Sequence, residues 1–152
     1  MVSARSQSRT LLTSKNASIT NPRLILLEML LKKGRPLTIE QVLRLSRGKL
    51  AQSTLYRVIN DLKAFGLINE FNTPEKTIVV ELNRNEDRHH HHIFCDSCGA
   101  IIDIQLNAKL ENDLDNEVRD IERNYALTIN SHSLELFGIC GNCRDSSNEL
   151  NN

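Results

Sequence analysis

Residues 53–66 read STLYRVINDLKAFG; LINEF (67–71) follows and, across the turn NTPEK (72–76), TIVVEL (77–82). In the first segment Leu55, Val58, Ile59, Leu62 and Phe65 recur at +3, +1, +3 and +3, one apolar stripe of a 3.6-residue period. Gly66 stops that helix, and the next two segments predict a two-stranded hairpin. Working backwards, Asn21-Pro22 opens another helix, with Leu24, Leu27 and Leu31 inside, Glu28 outside and Gly34 at its end. Thr38 is the expected N-cap of a short helix carrying Ile39, Val42 and Leu43. Three short helices and a hairpin describe a winged helix, in which the third helix reads the DNA major groove. Ser53 and Thr54 start that helix, and Tyr56, Arg57, Asn60 and Lys63 lie opposite its apolar stripe. Arg and Asn suit base edges, and Lys suits phosphate.

The charge distribution points the same way. The 152 residues carry no net charge, yet residues 1–83 hold 13 Lys and Arg against 6 Asp and Glu, a net of +7. Residues 84–152 hold 6 against 13, a net of −7. Two halves of opposite sign imply two domains, the basic one meeting a polyanion. No apolar run approaches the ~18–20 residues of a membrane span, and residues 1–18 lack a secretory signal. A cytoplasmic protein is the expectation. The boundaries read as a disordered tail (1–18), a winged-helix domain (19–83), a hinge (84–88), a metal-binding dimerisation domain (89–144) and a disordered tail (145–152). In the second domain, Ala100–Leu106 reads as a strand. Residues 108–125 read as a helix with Leu110, Leu114, Val118, Ile121 and Tyr125 inward, and 127–138 as one or two strands. That half has too little apolar material to stand alone, and calls for a metal and a partner subunit.

All four cysteines fall in two Cys-x-x-Cys pairs, Cys95/Cys98 and Cys140/Cys143. Four thiolates form the closed tetrahedral set of a structural zinc, which leaves no position open for a substrate. The other reading of these pairs is two redox-active disulfides. Just upstream stand His89, His90, His91 and His92, four of the five histidines of the chain. In an extended segment, alternation puts His90 and His92 on one face and His89 and His91 on the other, so one strand can feed two metal sites. Imidazole with carboxylate suits Fe, Mn, Ni, Co or Zn. Glu81, Asp87, Asp103 and His132 are further candidate ligands.

The segments NPRL (21–24), STLYRVIN (53–60), HHHHIFCDSCG (89–99) and HSLELFGICGNC (132–143) together resemble the ferric uptake regulator family. The resemblance spans residues 19–144. It implies an α+β protein: an N-terminal winged helix followed by a small zinc-stapled α/β dimerisation domain. It further implies a homodimeric, metal-dependent regulator, most often a repressor, of metal-homeostasis or peroxide-response genes. The partners implied are operator DNA and a second copy, with no membrane and no small-molecule substrate. Structural Zn(II) would sit on the four cysteines, and a regulatory Fe(II), Mn(II) or Zn(II) on a hinge site of Glu81, His90, His92 and Asp103. A second site would take His89, His91, His132 and a carboxylate of the long helix. Asp115 fits best by counting back from His132, but the chain is some five residues longer there, which leaves Glu111 and Glu117 as alternatives. Two positions depart from the family pattern. Pro36 stands where the hinge site usually takes a histidine. Ser18 stands where a basic residue usually enters the minor groove, with Lys15 the nearest replacement. Because no cysteine is spare, iron, manganese or peroxide sensing is favoured over zinc sensing.

Two other classes compete. A zinc enzyme needs an open metal position beside a general base, and nothing here resembles His-Glu-x-x-His or a deaminase signature. A zinc-stapled interaction or metal-storage module leaves the basic half unexplained.

Overall fold

The structure, a computed structural model, describes residues 2–73, 75–83 and 90–149. The chain divides into two compact units, Met1–Asp87 and Arg88–Asn152.

The first unit opens with a helix the sequence did not announce. Helix α1 (Ala4–Ser14) begins at Ser3, whose side chain accepts the Ser6 N–H at 3.1 Å. The expected disordered tail is thus corrected over these residues. The stretch is polar, but Leu12 and Ser8 are fully buried and Arg5 pairs with Glu28 at 3.0 Å. Tertiary packing of one face decides the matter where intrinsic propensity does not.

Helix α2 (Asn21–Lys33) ends at Gly34, whose N–H still meets the Leu30 carbonyl at 2.9 Å and whose φ of +62° then turns the chain out of the helix. Strand β1 (Leu37–Thr38) runs directly into helix α3 (Ile39–Ser46). Thr38 caps α3 in a reciprocal box with Gln41, each backbone N–H meeting the other's side chain at 3.1 Å. Helix α4 (Gln52–Ala64) buries Leu55, Val58, Ile59 and Leu62, the stripe expected of it. Strands β2 (Ile68–Asn72) and β3 (Ile78–Leu82) form the hairpin. The sheet order is β1-β3-β2, antiparallel, with Glu70 opposite Val80 and Asn69 opposite Glu81. Strand β1 is too short to show an alternation. The core joins Leu12, Leu26, Leu27, Leu30, Leu37, Leu55, Ile59, Leu62 and Val80, which is aliphatic throughout.

The second unit has strands β4 (His91–Cys95) and β5 (Ile101–Ile104), helix α5 (Ala108–Tyr125), strand β6 (Glu135–Gly138) and helix α6 (Gly141–Glu149). Strand β4 is central, antiparallel to β5 and parallel to β6. Three expectations change. Within 127–138 only 135–138 is strand, because the loop before it returns to the sheet without a ladder partner. The tail from 145 is helical through Glu149, continuing from the second cysteine turn. Helix α5 has no fully buried residue: Leu114, Val118 and Ile121 are half-buried, while Leu110 is 47% exposed and Tyr125 73%, so its apolar stripe is only partly covered by the described residues.

Candidate metal centres and nucleic-acid interface

The sheet register builds the cysteine cluster. Strand β4 ends at Cys95, and its parallel partner β6 ends beside it, with Cys95 opposite Gly138. The chain leaves β4 in a tight turn: the Gly99 N–H meets the Cys95 carbonyl at 2.9 Å, and Gly99 has φ +68°. The Asp96 N–H bonds the Gly138 carbonyl at 2.8 Å, tying the two knuckles together. The Sγ atoms of Cys95, Cys98, Cys140 and Cys143 all lie within 4.8 Å of one another. Those of Cys98 and Cys140 are 3.8 Å apart. Zinc–sulfur bonds of about 2.3 Å imply a tetrahedral edge of about 3.8 Å, so the donor set fits the ion.

The thiols are electrostatically uneven. The Cys140 backbone N–H points at Cys95 Sγ (3.3 Å), and with the Cys98 backbone N–H it lowers the Cys95 thiol to about 6. At Cys143 the Ser97 hydroxyl favours the thiolate, but the surrounding thiols, Cys140 first, raise it to about 11. The Cys95 thiolate therefore forms readily, and that of Cys143 is opposed until a cation shares the cluster.

A second cluster lies at the other end of β4, around His91. His91, only 2% exposed, brings Nε2 to 3.0 Å from Glu111 Oε1 of α5, and its ring stacks on that of His132 at 5.9 Å. The ligand atoms of His91, Glu111 and His132 lie within 4.8 Å of one another. The carboxylate that the structure brings into this cluster is Glu111, one of the alternatives to Asp115, the residue favoured by counting. Asp115, one turn further along α5, is exposed and lines the same cleft as Glu111 and His132, together with Asn112, Asn130 and Ser131. The long 126–134 loop makes counting back from His132 uninformative; it is held by the Ile129 N–H on Glu122 Oε1 at 2.7 Å. Glu117 is exposed and outside this cluster. His89, the remaining histidine of this set, lies outside the described residues.

His92, pointing oppositely to His91, faces its cross-strand neighbour Asp103, with Nε2 3.5 Å from Oδ1. The His90 and His92 rings meet edge to face at 5.1 Å. Glu81, the fourth residue of the expected hinge set, sits in β3 of the first unit.

On the winged-helix unit, Tyr56, Arg57 and Asn60 are exposed on α4, and their side chains make no hydrogen bond or ion pair among the described residues. Ser53 is exposed and Thr54 half-buried in the first turn, and Lys15, at the end of α1, is exposed. Lys63 differs: its Nζ lies 3.2 Å from Glu70 Oε2 on β2.

Arg23 is a residue the sequence argument did not single out. Its Nη1 donates to the Ser18 carbonyl and hydroxyl (2.8 and 2.6 Å), its Nη2 donates to Asp61 of α4 (2.8 Å), and the guanidinium lies over the Phe65 ring. It fixes the start of α2 against the reading helix. The one available signal was an Arg inside the first turn of a helix otherwise lined with Leu.

A sequence model described as the ferric uptake regulator family matches residues 14–137. The ferric uptake regulation protein of Yersinia pestis is 30% identical over 139 residues, covering 86% of this chain and 89% of its own. The ferric uptake regulator of Vibrio cholerae superposes with a TM-score of 0.65 at 25% identity, over 87% of this chain and 98% of that one. The Francisella tularensis ferric uptake regulator, determined with iron, gives a TM-score of 0.61 at 26% identity, over 84% and 94%.

Proposed function

The chain belongs to the ferric uptake regulator family, and from that premise we propose that it is a metal-dependent, sequence-specific DNA-binding transcriptional regulator. It acts as a homodimeric repressor of metal-homeostasis or peroxide-response genes in the cytoplasm. No helix among the described residues is long and apolar enough to cross a membrane. The observation that carries the reading is the pairing of two devices on one chain. One is a winged helix whose α4 offers Tyr56, Arg57 and Asn60 outward; the other is a unit whose strand β4 feeds separate clusters of metal-ligand residues.

Base reading falls to Tyr56, Arg57 and Asn60, with Ser53, Thr54 and Lys15 on the phosphates and the flanking groove. The four cysteines hold structural Zn(II). Glu81, His90, His92 and Asp103 hold the regulatory divalent metal, Fe(II), Mn(II) or Zn(II). His91, Glu111 and His132, with His89 alongside, form the second site. Metal supplies positive charge that gathers carboxylates and imidazoles from different elements. The second copy covers the apolar residues that α5, β6 and the following turn leave exposed, among them Leu110, Tyr125, Leu136, Phe137 and Ile139.

The test is a mobility shift on genomic fragments selected by the protein itself, with and without each metal. Arg57→Ala should weaken binding to the selected site by ~1–3 kcal/mol and relax its specificity. Retained affinity and selectivity would mean that α4 is not the reader. At the second site, Glu111→Ala should lower divalent-metal affinity by at least roughly tenfold, with Asp115→Ala affecting it less. A chelator-competition titration on protein that keeps its cysteine zinc ranks the two, and the reverse order would restore Asp115 as the ligand.

A further inference from the structure

Residues 1–83 hold six carboxylates, and three of them are each committed to a cation. Glu28 holds Arg5 and ties α1 to α2. Asp61 holds Arg23, whose side chain is 14% exposed and turned toward Ser18. The third pair differs in its place. Tyr56, Asn60 and Lys63 follow one another at +4 and +3, so they share one stripe of α4. Lys63 is therefore a cation on the reading face, its side chain still 39% exposed, with a carboxylate from the wing at 3.2 Å. Glu70 sits in the middle of β2, anchored opposite Val80, and its side chain is only 25% exposed. It is rooted in the sheet, while the lysine is the flexible partner.

Building on the DNA-binding reading, we propose that Glu70 holds Lys63 off the DNA backbone and so limits the sequence-independent part of the protein's DNA affinity. A phosphate approaching this end of α4 meets a closed pair of zero net charge. Opening the pair would trade one anion for another and leave Glu70 facing the phosphate, so the pair stays closed in the complex. Each lysine that neutralises a phosphate releases counterions and steepens the salt dependence by about 0.9. A lysine already neutralised by a carboxylate adds nothing to that slope. Discrimination between sequences then rests on Tyr56, Arg57 and Asn60, against a background that Lys63 does not raise.

The experiment is an anisotropy titration of a short mixed-sequence duplex with full-length, zinc-loaded, manganese-supplemented protein across a salt series. Glu70→Gln keeps the side-chain size and removes the charge. It should tighten binding at low salt by roughly threefold to tenfold and steepen the log–log salt slope by about 0.9. The double variant E70Q/K63Q should return both affinity and slope to the wild-type values, which also shows that neither change damages the fold. An unchanged E70Q would overturn the proposal. So would a double variant that binds more weakly than wild type with a shallower slope, because Lys63 would then already be contacting phosphate. A wild-type protein that binds no duplex in any metal state would overturn the DNA-binding reading itself, and this proposal with it. That failure is distinguished by the wild-type titration alone.

Discussion

Cys95→Ser or Cys140→Ser is expected to unfold the second unit and abolish the dimer. In the second unit, Phe94, Cys95 and Ile101 are the only buried apolar residues among those described, whereas the first unit has a full aliphatic core. Thiolate zinc sites of this type contribute on the order of 10 kcal/mol of apparent binding free energy, as much as the whole stability of an ordinary domain. The site joins the end of β4 to the start of α6, so losing one ligand releases both ends of the sheet. Zinc content, circular dichroism and sedimentation on one preparation check this. A variant that stays folded and dimeric without zinc would assign stability elsewhere. Acid should do the same more gradually, because the thiols must lose protons to bind and protons compete for them.

The second large effect concerns the switch. His92→Ala or Asp103→Ala should leave folding and cysteine-bound zinc intact and remove the metal dependence of DNA binding. Glu81 belongs to the wing strand, and His90, His92 and Asp103 to the second unit. If these four residues share an ion, the angle between the units is set, and in a dimer so is the spacing of the two α4 helices. Such an ion shifts the arrangement only by its preference for the gathered form, about 1–3 kcal/mol of coupling. By reciprocity, operator DNA must tighten metal binding by the same factor. With Pro36 where the family resemblance places a histidine, the first unit's contribution to such a site would be Glu81. DNA-binding isotherms for wild type and both variants across a divalent-metal titration are the measurement. An unchanged response in both would move the sensor to His91, Glu111 and His132.

Much of this was legible beforehand, for identifiable reasons. The α4 stripe, the Thr38 cap and the Gly34 stop are local signals: each depends on residues within one or two turns, and each is in place. The alternation of His91 and His92 across β4 follows from strand geometry alone. What could not be read required distant partners. Helix α1 exists because Leu12 packs into a core supplied by later residues, and a Ser-rich stretch gives no hint of that. The choice of Glu111 over Asp115 depends on how a long irregular loop returns His132 to the helix. Helix α5 was identified correctly as an element but not by its surroundings, since its apolar stripe reports what it must cover and not which chain supplies the cover.

Strand β4 imposes an asymmetric rule on how this chain can drift. Its five residues present His91 to one cluster and His92 to another, and they deliver Cys95 to a third. Inserting or deleting one residue there would exchange the faces of both histidines and displace the cysteine by one strand step, disabling every cluster in a single event. The loop over residues 126–134 needs only to bring His132 back to the helix, and its length is free. Changes of length should therefore accumulate between α5 and β6 while the histidine-to-cysteine count stays frozen, and a descendant tuned to a different ion would arise by exchanging side chains along β4, never by lengthening it.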